Sequence, residues 1–141
     1  MTAITGIAHV NLTVPSGGLE SARDFYAGTL GFTSRTVPHL QKDSLAWFDI
    51  GTSGQQIHIA IGAESDFRSA SSRHVCFKIQ SPEALLELRR KIWDHFQRGG
   101  DSAPQAADQP GEEDSGELLL SPLSRFVLCY VCLPIPSPYM D

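Results

Sequence analysis

The stretch from residue 6 to residue 32 constrains the fold most, because a strand pattern, a glycine turn and an amphipathic helix follow one another directly. Side chains alternate across a strand, so its two faces differ in chemistry. One face is apolar and suits packing beneath the helix: Ala8, Val10, Leu12 and Val14. The other combines a histidine, an amide and a hydroxyl with one apolar residue: Ile7, His9, Asn11 and Thr13. This polar face indicates the wall of a pocket.

The same pattern recurs 65 residues later, where HVCFKIQS aligns with HVNLTVPS. The alignment places His74 on His9, and both copies lead into a helical pattern. In the second copy, the polar face carries His74, Cys76 and Lys78. A self-similarity at a fixed offset predicts one domain built from two similar halves.

Three further strands are predicted in the first half, at residues 33–37, 44–50 and 55–61, after a helix over residues 19–29. Gly31 stands where a helix commonly ends in a left-handed residue. In the last of these strands, three isoleucines alternate with polar or small residues, and His58 lies on the face opposite the isoleucines. The first half therefore reads βαβββ.

The second half has a predicted strand at residues 73–80 and a helix with Ser81 as its N-cap and Pro82 in its first turn, stopped by Gly99. Residues 99–117 hold six acidic residues and no Lys or Arg, which predicts a solvated, mobile acidic loop. Only residues 118–120 and 125–133 remain as strand candidates, before a proline-rich tail at 134–141. The second half is thus one strand short.

Length and composition predict a single domain over residues 1–133, with halves at about 1–62 and 73–133. No basic stripe is present, so we expect no nucleic-acid partner. The longest apolar run, residues 126–133, is too short to span a bilayer, and we expect no membrane association. Three cysteines fit a reducing compartment better than a disulfide framework, which favours a cytoplasmic protein.

The first-strand histidine, the run DFYAGTLGF, the strand GQQIHIAI and the run RHVCFKI together resemble the vicinal oxygen chelate superfamily, over about residues 4–98. That superfamily includes glyoxalase I, fosfomycin- and bleomycin-resistance proteins and extradiol dioxygenases. The resemblance implies an α+β fold in which paired βαβββ modules form a cupped, mostly antiparallel mixed sheet, with the second module incomplete here. It also implies a small-molecule ligand, a divalent metal ion in the cup, and a homodimer.

The resemblance further implies site residues. His9 and His74 match the metal-ligand positions in the first strand of each module, and His58 lies at or near that of the fourth strand. Asn11 and Lys78 face the same expected cavity, where they would bind substrate. Imidazole ligands suit Zn, Fe or Ni, and Mn is a further candidate. The family's terminal glutamate ligand has no counterpart, because no Glu follows Glu117.

Three interpretations remain open at this point. The first is a metal-dependent lyase, isomerase, transferase or dioxygenase acting on a small oxygen-chelating substrate, in which His58 could complete a three-histidine set. The second is a metal-free, bleomycin-resistance-like binding protein. The third is an inactive, truncated homologue. Outside the site, His39 and His95 are predicted at the surface, and Tyr26 and Trp47 in the core.

Overall fold

A computed structural model of the chain describes residues 3–63, 75–104, 107, 109–111 and 127–129. The described residues fall into two compact units. The first unit contains residues 3–63, and the second contains the rest of the described chain. Each unit is treated by itself below.

The first unit contains a four-stranded mixed sheet whose strands lie in the order β1-β4-β3-β2. The strands are β1 His9–Val14, β2 Thr33–Arg35, β3 Leu45–Asp49 and β4 Gln56–Ile61. Strand β1 pairs with β4 in parallel, whereas β4 with β3 and β3 with β2 are antiparallel. The α+β class and the predicted βαβββ order are confirmed, although β1 begins only at His9, where its pairing with β4 begins.

The helix between β1 and β2 covers the predicted residues but has two geometries. It is α-helical in α1, Leu19–Arg23, and π-helical in the segment Asp24–Thr29. The amide of Leu30 donates to the carbonyl of Phe25, five residues back, which is the π pattern. Gly31 then ends the helix at a φ of 76°, as its position predicts.

One face of the sheet and the inner side of this helix form the core of the first unit. Helix α1 packs on β3 and β4. The side chains that meet there are almost fully buried: Val14, Leu19, Ala22, Phe25, Tyr26, Ala46, Phe48, Ile57 and Ile59. Because side chains alternate along a strand, the polar side chains lie on the opposite face of the sheet, away from this core.

In the second unit, helix α2, Pro82–Arg98, begins and ends where the sequence predicts. The hydroxyl of Ser81 accepts a hydrogen bond from the amide of Ala84, and Gly99 follows the last turn with a φ of 70°. The predicted strand at 73–80 is shorter, with β5 at Cys76–Lys78. It pairs in antiparallel fashion with β6, Val127–Cys129. The other strand candidate, residues 118–120, the proline-rich tail and most of the acidic loop lie outside the described residues.

Cysteine usage differs from the sequence-based expectation. Cys76 is disulfide-bonded, and the strand register places Cys129 opposite it. Spacing along the chain did not indicate this, because the two residues are separated by helix α2 and the acidic segment and are brought opposite each other only by the pairing of β5 with β6. No helix in the described part of the chain is long and apolar enough to cross a membrane.

The core assignment predicts the effect of truncating Phe48, whose side chain is fully buried between the sheet and the helix. Phe48→Ala is expected to lower the free energy of unfolding by about 3–5 kcal/mol, because it removes apolar burial and leaves a cavity. Leu40→Ala is the matched control, since Leu40 is 96% exposed, and it should change stability by less than about 0.5 kcal/mol. Urea denaturation followed by tryptophan fluorescence measures both, and equal effects would contradict the assignment.

Tyr26 allows a second test of the core. Its side chain is fully buried, its ring contacts Phe25, Phe32 and Phe48, and its hydroxyl has no hydrogen-bond partner among the described residues. Burial raises the pKa of this phenol above its ordinary value. A buried hydroxyl without a partner costs about 1–3 kcal/mol, so Tyr26→Phe should raise the free energy of unfolding.

Tyr26→Leu provides the control, because it removes the ring contacts as well and should lower stability. Both variants are measured by the same urea titration as Phe48→Ala. A loss of more than about 1 kcal/mol in Tyr26→Phe would show that the hydroxyl is hydrogen-bonded in solution.

Candidate functional site

The candidate site lies on the face of the first unit's sheet that points away from helix α1. Strand β4 has two chemically different sides: Ile57 and Ile59 are fully buried, whereas Gln56 and His58 are only half-buried. The strand register pairs His58 with Asn11 of β1 on one side and with Trp47 of β3 on the other. Because Ile57 and Ile59 are buried in the core, alternation places His58 on the opposite face. Strand pairing then gives His58 a polar neighbour and an aromatic neighbour.

Three rings stack in sequence across this face. The ring of Trp47 lies 4.7 Å from that of His58, with an angle of 14° between their planes. The ring of His58 lies 4.1 Å from that of His9, with an angle of 11°. We call Trp47, His58 and His9 the ring stack. Aromatic contacts of this kind contribute about 0.5–1.5 kcal/mol each beyond the area they bury, so the stack helps to order this face, which lies opposite the hydrophobic core.

A chain of polar contacts joins the ring stack to the far edge of the sheet. His58 Nε2 lies 2.9 Å from Gln56 Oε1, and Gln56 Nε2 donates to Asp49 Oδ1 at 2.7 Å. Asp49 Oδ2 in turn lies 3.3 Å from Arg35 Nε. We call Arg35, Asp49, Gln56 and His58 the polar relay. Its residues come from β2, β3 and β4, so it depends on the register of all three strands.

The electrostatics of the site favour a neutral His58. Burial lowers the pKa of His58 below its ordinary value, and the nearby positive charge of protonated His9 lowers this pKa further. A neutral imidazole has a free lone pair on one nitrogen, which can accept a proton, accept a hydrogen bond or bind a metal ion. The site therefore keeps a nucleophilic nitrogen near neutral pH.

The two histidines fit a divalent metal ion as part of a larger set of ligands. Imidazole nitrogens suit Zn and related ions, and these two rings come from adjacent strands. Their lone pairs lie in nearly parallel, separate planes, so one ring must rotate before both nitrogens can face the same ion. His9 is exposed and can rotate without disturbing the core. No cluster of three or more His, Cys, Asp or Glu side chains placed for a metal ion occurs within the described ranges.

The other predicted site residues have different placements. Asn11 is exposed on β1, at the register position opposite His58. Lys78 is exposed on β5 in the second unit. His74 lies outside the described residues. The structure thus brings together His9, His58 and Asn11, and the binding roles assigned to all five residues stay predictions.

Two residues differ from their sequence-based assignments. Trp47, predicted in the core, is half-buried and stacks on His58; the alternation of β3 already placed it opposite the buried Ala46 and Phe48, and that signal identifies it as a site residue. His95, predicted at the surface, is only 2% exposed, and its Nε2 lies 3.0 Å from the hydroxyl of Ser102. The chain beyond Gly99 covers this histidine, which helical periodicity alone does not reveal. His39 is exposed, as predicted.

Solved structures with the same fold belong to glyoxalase-type proteins. A protein from Bacillus anthracis assigned to the glyoxalase family matches with a TM-score of 0.55 and 29% identity, over 67% of this chain and 72% of its own. A protein from Bacillus cereus described as a possible glyoxalase matches with a TM-score of 0.52 and 23% identity, over 64% and 74%. No protein-family model matches the sequence, and no curated protein matches it either. The resemblance to the vicinal oxygen chelate superfamily is confirmed.

The lowered pKa of His58 predicts a pH dependence of stability. Between this lowered pKa and the ordinary value of about 6.5, the unfolded chain binds more protons than the folded chain. The free energy of unfolding should therefore fall as pH decreases below about 6.5, since protonation favours the unfolded state. His58→Gln should weaken this dependence, because it removes the imidazole whose pKa is lowered in the folded chain.

Urea denaturation between pH 5 and pH 8 in the presence of a chelator measures these slopes. An identical slope in the His58→Gln variant and in the unmodified chain would contradict the lowered pKa.

Proposed function

We propose that this chain, a glyoxalase-like protein of the vicinal oxygen chelate superfamily, binds a small oxygen-rich ligand on the open face of its first sheet, with the help of a divalent metal ion. The observation that carries the proposal is the contact between the rings of His9 and His58, two imidazoles that the sheet brings together from distant parts of the sequence. A sheet face that only packs against a hydrophobic core is lined by apolar side chains, and this face instead carries two adjacent imidazoles.

In this proposal, His9 and His58 hold the ion, and His74 is a candidate ligand from the sequence alone. When bound, such an ion acts as a Lewis acid that stabilises negative charge developing on a substrate oxygen. Asn11 can donate its amide hydrogens to a second ligand oxygen, because it is exposed and lies opposite His58 in the register. Lys78 is a candidate for binding an anionic ligand from the sequence alone. A lyase, isomerase, transferase or dioxygenase reaction is consistent with these roles.

A second candidate function is metal-free binding, as in bleomycin-resistance-like proteins. One observation favours it: the parallel rings of the ring stack direct their lone pairs into separate planes. In that arrangement the rings cover one another's faces, so a ligand would be held by the ring edges, by the outer face of a terminal ring and by hydrogen bonds. An inactive homologue is the third reading. Homodimer formation and a cytoplasmic location also stay proposals.

Metal titration separates the candidates. We expect the purified full chain to bind Zn²⁺, Ni²⁺, Mn²⁺ or Fe²⁺ at micromolar concentration in isothermal titration calorimetry. His58→Ala and His9→Ala should each weaken binding by more than about 10-fold, because even residues that only support a metal ligand often contribute that much. His39→Ala is the matched control, since it removes an exposed imidazole outside the site and should not change the affinity.

If none of the four ions binds at micromolar concentration, the metal-dependent function is wrong. Binding that is equally weakened by His39→Ala would show nonspecific association with surface histidines. Circular dichroism of each variant verifies that the fold is retained.

A further inference from the structure

The direction of the hydrogen bonds in the polar relay can be worked out from the chemistry of its members. Asp49 offers only acceptors, and it lies between the guanidinium of Arg35 and the amide of Gln56, at 3.3 Å and 2.7 Å. The amide must therefore turn its NH₂ group toward Asp49, because the reverse orientation would place a carbonyl oxygen against a carboxylate oxygen. The carbonyl of Gln56 then faces His58.

That orientation determines which nitrogen of His58 carries the hydrogen. Gln56 Oε1 can only accept, so the contact of 2.9 Å requires a hydrogen on His58 Nε2. In a neutral imidazole only one nitrogen is protonated, and Nδ1 then holds the free lone pair. The negative charge of Asp49 thus determines the tautomer of His58 through the orientation of the Gln56 amide.

We propose that Asp49 and Gln56 are positioning residues that hold His58 as its Nε2–H tautomer, which makes Nδ1 the atom available to a metal ion or ligand. This inference rests on the proposed function for the importance of Nδ1, but the tautomer itself can be measured without any ligand. If these hydrogen bonds only linked β3 to β4, they would stabilise the sheet without determining which nitrogen of His58 carries the hydrogen.

The main experiment is long-range ¹H–¹⁵N correlation spectroscopy of the ¹⁵N-labelled full chain, at slightly alkaline pH and with a chelator present. The chain has five histidines, and the His58→Gln variant identifies the signals of His58. We expect His58 to show a pyrrole-type Nε2 and a pyridine-type Nδ1. A mixture of tautomers, or the reverse assignment, would overturn the proposal.

Replacing the negative charge of Asp49 by a positive charge should reverse the tautomer of His58. In Asp49→Lys, the ammonium group attracts Gln56 Oε1, the amide turns, and its NH₂ group then faces His58 Nε2. The hydrogen should move to Nδ1, and the two nitrogen signals should exchange character. Asp43→Lys is the matched control, because Asp43 is exposed, lies outside the relay and undergoes the same charge change. An unchanged pattern in a folded Asp49→Lys variant would overturn the proposal.

Gln56→Met provides a second route if Asp49→Lys fails to fold. Methionine has a similar length but no strong acceptor, so His58 Nε2–H should lose its protection from exchange with water. The one-bond ¹H–¹⁵N signal of this group is expected in the unmodified chain and should be lost in Gln56→Met. Equal protection in both chains would show that Gln56 does not hold the ring.

Zn²⁺ titration under the same conditions, without the chelator, separates this inference from the proposed function. A bound ion should shift the Nδ1 signal of His58 far more than the Nε2 signal. If the ion binds and Nε2 responds instead, the positioning proposal is wrong while metal binding stands. If no ion binds, the metal-dependent function is wrong, and the tautomer measured with the chelator still decides the role of Asp49 and Gln56.

Discussion

The parallel pairing of β1 with β4 is the interaction on which the rest of the first unit depends. These strands are separated in the sequence by a helix and two further strands, and their backbones come together as neighbours in the sheet. The pairing places the apolar side of β1 on the same face as the apolar side of β4, against which helix α1 packs, and puts His9 beside His58 on the other face. A shift of the register by one residue would reverse both outcomes, because strand side chains alternate.

The open face is polar but ordered, and its order comes from contacts between neighbouring strands. Partly buried polar groups are costly unless they have partners, and here each member of the polar relay satisfies the next. The ring stack joins β1, β4 and β3 through contacts between neighbouring rings. Rings and hydrogen bonds together limit the rotation of His58, so the site holds this histidine in place before any ligand arrives.

The shared fold with glyoxalase-type proteins limits the functions to consider but does not choose among them. One fold commonly supports several reactions, and the side chains at the site decide which one occurs. In this chain, the described residues contribute two histidines, an exposed asparagine and a tryptophan to the site. Metal-dependent chemistry needs a third donor, whereas stacking needs none, so the identity of that donor is the chemical question that separates the two functions.

The sequence by itself determined the elements of the first half, the limits of helix α2 and the face on which His9 and His58 lie. Periodicity, caps and glycine positions are local signals, and they report local backbone structure directly. Only the tertiary structure decided that Trp47 stacks on His58, that Asp49 and Gln56 reach this histidine, that His95 is buried and that Cys76 lies opposite Cys129. The physical reason is that these contacts depend on strand register and on packing between segments distant in the chain, which alternating patterns within one segment do not encode.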